Sequence, residues 1–137
     1  MRGRSKYSAV VVGCGYVGQR LVRRFPPDMV LGLSRHQPEG FEHWLSVDLD
    51  RDPLTDLIEF SAGAVMYYFV APSTTSMLDE RSRRLILALK NSPHKPASIV
   101  LISTTGVYGD CAGEWVTEDR ILQPGADRSR RRVDAEG

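Results

Sequence analysis

The stretch from Ala9 to Gly18, AVVVGCGYVG, limits what this chain can fold into more than any other. Ala9 to Val12 is continuously apolar and mostly β-branched, the pattern of a strand buried on both faces. The run then breaks into Gly13, Gly15 and Gly18, spaced G-x-G-x-x-G. Val17, Leu21 and Val22 follow at helical spacing, with Gln19, Arg20, Arg23 and Arg24 on the opposite side. Phe25-Pro26-Pro27 stops that helix, because proline cannot continue it and disfavours helical geometry in the residue before it. A strand, a glycine turn and a helix in this order begin a parallel sheet.

The rest of the chain repeats the unit. Val30 to Leu33 is a second short apolar run, Trp44 to Leu49 a third candidate strand, Ala64 to Val70 a fourth and Ile99 to Ile102 a fifth. Helices are expected over Pro53 to Phe60, with proline in the first turn, and over Ser76 to Lys90, whose Met77, Leu78, Leu85, Ile86 and Leu89 are apolar. A last helical candidate begins near Asp127. Residues 1–7 read as a fraying basic lead-in. Strands alternating with helices predict an α/β doubly wound parallel sheet of the Rossmann type, about five strands in the order 3-2-1-4-5. The expected organisation is a single domain over residues 1–137, with 8–109 its core and 110–137 a loop and partial helix.

The glycine turn carries the first chemistry. Gly13 permits the tight turn, Gly15 lets the backbone approach a pyrophosphate, and Gly18 allows close packing of helix on strand. Tyr16 and Val17 open the helix, whose free N–H groups favour phosphate. The end of strand 2 selects the cofactor: Asp or Glu suits the ribose 2′-OH of NAD, and arginine suits the 2′-phosphate of NADP. Ser34 and Arg35 stand there, with no carboxylate until Glu39. NADP is favoured, and NAD stays open.

Composition narrows the classes further. With 137 residues and 42% hydrophobic content, the chain can bury a core, and a net charge of +1 gives no global field for nucleic acid. Arg128, Arg130, Arg131 and Arg132 crowd the C-terminal end without an interleaved aromatic, which argues for a solvated face rather than a nucleic-acid surface. Cys14 and Cys111 lack metal or disulfide spacing, and His36, His43 and His94 fall in or beside loops with no ligand spacing, so no metal site is expected. The longest apolar run, from Ala62, is too short to span a bilayer. Ala9 to Val12 is too short for the apolar segment of a secretory leader, so the expected location is cytoplasmic.

Taken in order, VVVGCGYVG, SR, DLD, VAPS and ISTTGVYGD resemble the extended or atypical short-chain dehydrogenase/reductases, the NAD-dependent epimerase/dehydratase family, along nearly the whole chain. The resemblance implies that Asp48 and Leu49 flank the adenine, with Asp48 bonding its exocyclic amine. It implies that Val70, Ala71 and Pro72 line the cofactor and that Thr104 hydrogen-bonds a substrate oxygen. Tyr108 is a packing residue on this reading.

Two departures bear on activity. The family's Tyr-x-x-x-Lys pair would fall on Arg128 and Arg132, counting back from Ala135-Glu136. Arg132 retains a cation for the nicotinamide ribose, but a guanidinium at Arg128 stays protonated and cannot act as a general acid near neutrality. Family members also run on to further strands and a substrate domain, roughly twice this length on ordinary domain sizes. The expectation is an NAD(P)-binding module resembling the N-terminal part of a nucleoside-diphosphate-sugar epimerase, dehydratase or related reductase, truncated and not catalytically complete alone. A non-enzymatic NADP-binding regulatory or partner-binding protein is the alternative. The family's habit of pairing through helices beside strand 5 points to 76–90 as the interface of a homo-oligomer, with Trp115 expected to cover the end of the sheet.

Overall fold

The computed structural model of the chain describes residues 5–136, with side chains through Asp134. Five strands, β1 (Ala9–Val12), β2 (Val30–Ser34), β3 (Trp44–Ser46), β4 (Val65–Tyr68) and β5 (Ser98–Leu101), form one parallel sheet in the order β3-β2-β1-β4-β5. The helices are α1 (Tyr16–Val22), α2 (Thr55–Ser61), α3 (Glu80–Lys90) and α4 (Asp127–Glu136), with short 3-10 turns at Pro27–Met29 and Thr105–Tyr108. The strand order is the expected one.

β1 lies at the centre and is buried on both faces. Val10 pairs with Leu31 and Met66, and Val12 with Leu33 and Tyr68. These side chains join Leu57, Ile58, Leu85 and Leu89 in the larger core beneath α2 and α3. Ala9 and Val11 point the other way, into a smaller cluster with Cys14, Val22 and Val30 beneath α1. Burying each of the larger side chains contributes about 1.5–3 kcal/mol. Coverage declines toward β5, where Ile99 and Val100 are both 43% exposed.

Several boundaries differ from expectation for local reasons. β3 ends at Ser46 rather than Leu49. The Asp52 carboxylate accepts the Asp48 N–H at 2.7 Å, and Asp48 Oδ1 accepts the Asp50 N–H at 2.9 Å. Such side-chain bonds offer the backbone an alternative to the ladder. α3 begins at Glu80 rather than Ser76. Asp79 Oδ1 accepts the Ser82 N–H at 3.1 Å as a cap, while Ser76 Oγ accepts the Leu78 N–H in the turn ahead of it. The fourth strand is likewise shorter than the predicted Ala64 to Val70.

Tyr7, placed in the fraying lead-in by its sequence context, is buried. Its hydroxyl pairs with His43 Nδ1 at 3.2 Å and its ring meets Phe60 edge-on. His43 is thereby a structural partner rather than a free surface histidine. Arg2 and Arg4 lie outside the described residues.

Among the described residues, contacts group those up to Val70 with 84–102, and 71–83 with those from Ser103 on. The first unit is the sheet with its two cores. The second closes on its own bonds, because the segment before α3 is tied to α4. The Asp79 N–H donates to Asp134 Oδ2 at 2.8 Å, Arg83 makes a bidentate pair with Asp134, and Arg131 Nε donates to the Ser76 carbonyl. Trp115 is fully exposed and covers nothing, contrary to expectation. Among the described residues no helix is long and apolar enough to cross a membrane, and no cluster of metal-ligating side chains forms.

Candidate functional site

The glycine turn leaves β1 at the centre of the sheet. Gly13 sits at φ +92°, a conformation that disfavours any side chain, and its N–H donates to the Leu33 carbonyl at 2.9 Å. That bond fixes the turn against the end of β2. A Cβ at Gly13 would also stand 2.8 Å from the Val70 side chain, at the end of β4. Gly18 is buried at the crossing of helix and turn. Gly15 differs from both: a Cβ there would meet nothing within 4 Å. The protein's own packing does not require glycine at that position.

α1 starts directly after Gly15 with no side-chain cap among the described residues. Tyr16 and Val17 are exposed, and the Arg20 guanidinium lies 3.5 Å from the Tyr16 ring centroid. Cys14, between the glycines, is buried, and its thiol donates to the Val11 carbonyl at 3.4 Å. Burial pushes that thiol up to about 11, so it is not a nucleophile near neutrality.

The ends of the neighbouring strands supply the other expected positions. Ser34 closes β2, with its hydroxyl donating to the His36 carbonyl at 2.6 Å. Arg35 follows it and is exposed. Asp48 is half-buried in the turn after β3. Leu49 is buried in the larger core, so its side chain is committed to packing and only its backbone faces outward chemistry. Val70 is half-buried beside the turn. In an open parallel sheet, ligands bind outside the carboxyl ends of the strands, where the strand order reverses. The first unit therefore brings Gly13, Gly15, Gly18, Ser34, Arg35, Asp48 and Val70 to the carboxyl ends of four strands.

Sequence reasoning missed Arg84. Its two terminal nitrogens donate to the Leu49 and Asp52 carbonyls, each at 2.6 Å. No local pattern announces a contact that spans more than thirty residues.

The second unit holds the remaining candidates. Ala71 is exposed, and its carbonyl accepts from Arg81 at 3.0 Å, while Pro72 is half-buried. Thr104 is exposed, and its hydroxyl accepts the Gly106 N–H at 3.3 Å, opening the 3-10 turn. Together with Ser103, Thr105, Tyr108, Glu118 and Arg120 it lines a recess of about 540 Å³. Tyr108, expected only to pack, is part of that wall. Arg128 is exposed and Arg132 half-buried on α4, while the side chains of Ala135 and Glu136 lie outside the described residues. Asp134 is held below the usual carboxylate range by its hydrogen bonds from Arg83, and Arg83 is raised in turn.

Fold and turn together define an α/β domain of the Rossmann dinucleotide-binding type. No family model matches the chain, and no curated protein matches its sequence significantly. Solved structures do match. A Methylobacillus flagellatus protein assigned as an NAD-dependent epimerase/dehydratase is 30% identical, with TM-score 0.78, over 96% of this chain and 50% of its own. A Burkholderia cenocepacia protein assigned as an epimerase is 20% identical, with TM-score 0.74, over 98% of this chain and 49% of its own. UDP-glucuronic acid 4-epimerase from Bacillus cereus, solved in complex with NAD, is 19% identical, with TM-score 0.72, over 93% and 50%. The last two likenesses show the fold. The chain spans about half the length of the structures it matches, consistent with an N-terminal Rossmann portion of the epimerase/dehydratase type.

Proposed function

We propose that this chain binds NADP over its glycine turn, as the cofactor-holding part of an epimerase, dehydratase or related reductase acting on a nucleoside-diphosphate sugar or similar polar substrate. The observation that carries the reading is the contrast within the turn. Gly13 and Gly18 are required by the fold, while Gly15 is open on its ligand side. Tyr16 and Val17 present the first helical N–H groups to the pyrophosphate, and Val70, Ala71 and Pro72 line the cofactor. Asp48 faces the adenine amine. Ser34 and Arg35 hold the 2′-phosphate, where guanidinium and phosphate form paired, charge-assisted bonds. Some matched proteins were crystallised with NAD, so NAD is the competing cofactor.

When bound, the nicotinamide supplies reversible hydride transfer. Thr104 hydrogen-bonds the substrate oxygen, and Arg132 holds the nicotinamide ribose. A permanently charged Arg128 at the position of the family's tyrosine cannot act as general acid near neutrality, so the chain is not catalytically complete alone on this reading. Association through α3 belongs to the same reading, supported by the exposure of Ile86 and Leu87, and the cytoplasm is the proposed location.

Thermal unfolding with NADPH and NADH tests the binding. A ligand at a hundred times its dissociation constant stabilises by about 2.7 kcal/mol. A shift with NADPH exceeding that with NADH is expected, and no shift with either overturns the reading. Carbonyl reduction by the isolated chain that disappears in Thr104→Ala would overturn the claim of incompleteness.

A further inference from the structure

The loop after β3 runs from Val47 to Asp52 and carries Asp48, the residue assigned above to the adenine. Within the loop, the bonds already described tie Asp48 to Asp50 and Asp52, and the Asp48 carbonyl also accepts the Arg51 and Asp52 N–H groups. These contacts shape the loop but do not attach it to the sheet. Val47 enters the loop from the sheet, with its N–H donating to the Ser34 carbonyl at 2.9 Å, and the Val47 and Leu49 side chains are buried in the larger core. Farther along, the backbone is held by Arg84, which comes from α3 and donates one terminal nitrogen to the Leu49 carbonyl and the other to the Asp52 carbonyl, both at 2.6 Å.

The two carbonyls bracket the turn, so one planar guanidinium sets both its start and its end. A guanidinium carries its donors in a fixed fork, and bonds from a charged donor are stronger than neutral ones. Lysine offers a single point of charge and cannot hold both carbonyls in one plane. Arg84 donates to the backbone of Leu49 and Asp52 and not to the Asp48 carboxylate. Its route to the site is through the backbone.

We propose that Arg84 is a positioning residue for adenine recognition, holding the 48–52 loop so that Asp48 presents its carboxylate to the exocyclic amine of the base. The inference rests on the dinucleotide reading above and deepens it. Loss of the fork leaves the base pocket present but loose. The discrimination between an amino and an oxo group at that edge then falls, along with overall affinity.

The test compares NADP with its hypoxanthine analogue, which carries oxo for amino at that position and a proton on the adjacent ring nitrogen, in wild-type protein and in Arg84→Ala, by calorimetry. Wild type binds NADP more tightly than the analogue. In Arg84→Ala, NADP affinity falls about tenfold, the scale of a lost charged hydrogen bond, and the ratio of the two affinities moves toward one. General loosening of the fold would weaken both ligands alike and leave the ratio unchanged, and that result overturns the proposal. Wild type that binds neither dinucleotide fails the cofactor reading itself, a distinct result that removes the basis for the inference. If Arg84→Ala does not fold, Arg84→Lys carries the same comparison, with a partial fall in the ratio expected and an unchanged ratio again decisive against it.

Discussion

A Cβ on Gly18 would lie 2.4 Å from the carbonyl oxygen of Gly13. The obstacle is backbone, not a side chain that can swing away, so any larger residue at 18 must push the helix from the turn. Overpacking of this kind costs about 1–3 kcal/mol. Gly15, three residues earlier, faces nothing within 4 Å.

The two glycines should therefore fail differently. Gly18→Ala lowers the unfolding midpoint in denaturant and weakens cofactor binding as a consequence. Gly15→Ala leaves the stability within about 1 kcal/mol of wild type yet weakens NADP binding, since on the proposed reading its methyl group takes the space of the pyrophosphate. A Gly15→Ala protein that is stable and binds normally would remove the phosphate from this turn.

Arg35 is the test of cofactor choice. Arg35→Ala should reduce NADPH affinity about tenfold, the loss of one charged hydrogen-bonding partner, with NADH affinity unchanged. Fluorescence titration of both reduced cofactors reads the ratio. An equal effect on the two would place the 2′-phosphate elsewhere.

Asp134 predicts an acid-sensitive contact. Its folded pKa is lowered from 3.8, first by the hydrogen bonds from Arg83. A depressed carboxylate contributes stability that is complete above its unfolded value and is lost as pH falls through the folded one. Protection factors of residues 127–134, taken against intrinsic exchange at each pH, should fall below pH 3.8 and stay constant between pH 5 and 8. Asp134→Asn should show the lower protection already at neutral pH. The Arg83 side chain is more than half exposed, so the effect is small and shrinks with salt.

Cys14 should resist alkylation. With its thiol pushed up to about 11 and its side chain buried, it is almost wholly protonated at pH 8. Iodoacetamide labelling followed by peptide mapping should modify the half-buried Cys111 first, with Cys14 reacting only after unfolding. A raised thiol pKa also means that folding free energy falls as pH rises from 9 toward 11, because only the unfolded chain gives up the proton there.

Much of this was legible from residues. β1 and the turn could be read because four apolar residues and three glycines encode burial and close approach locally. The ends of β3 and α3 were misplaced. There, Asp48, Asp52, Ser76 and Asp79 compete for backbone groups through their side chains, and periodicity does not register that competition. Tyr7 was misread for a different reason: its partners His43 and Phe60 are distant in sequence.

The sequence by itself determined the parallel α/β class, the strand order and the glycine turn, since each follows from the period, type and spacing of neighbouring residues. Only the tertiary structure decided that Gly15 is open while Gly18 is closed, that Leu49 is spent on the core, and that Arg84 bridges two carbonyls of a loop far away in sequence. Those are relations between segments brought together by folding, where distance through space, not spacing along the chain, sets the energy.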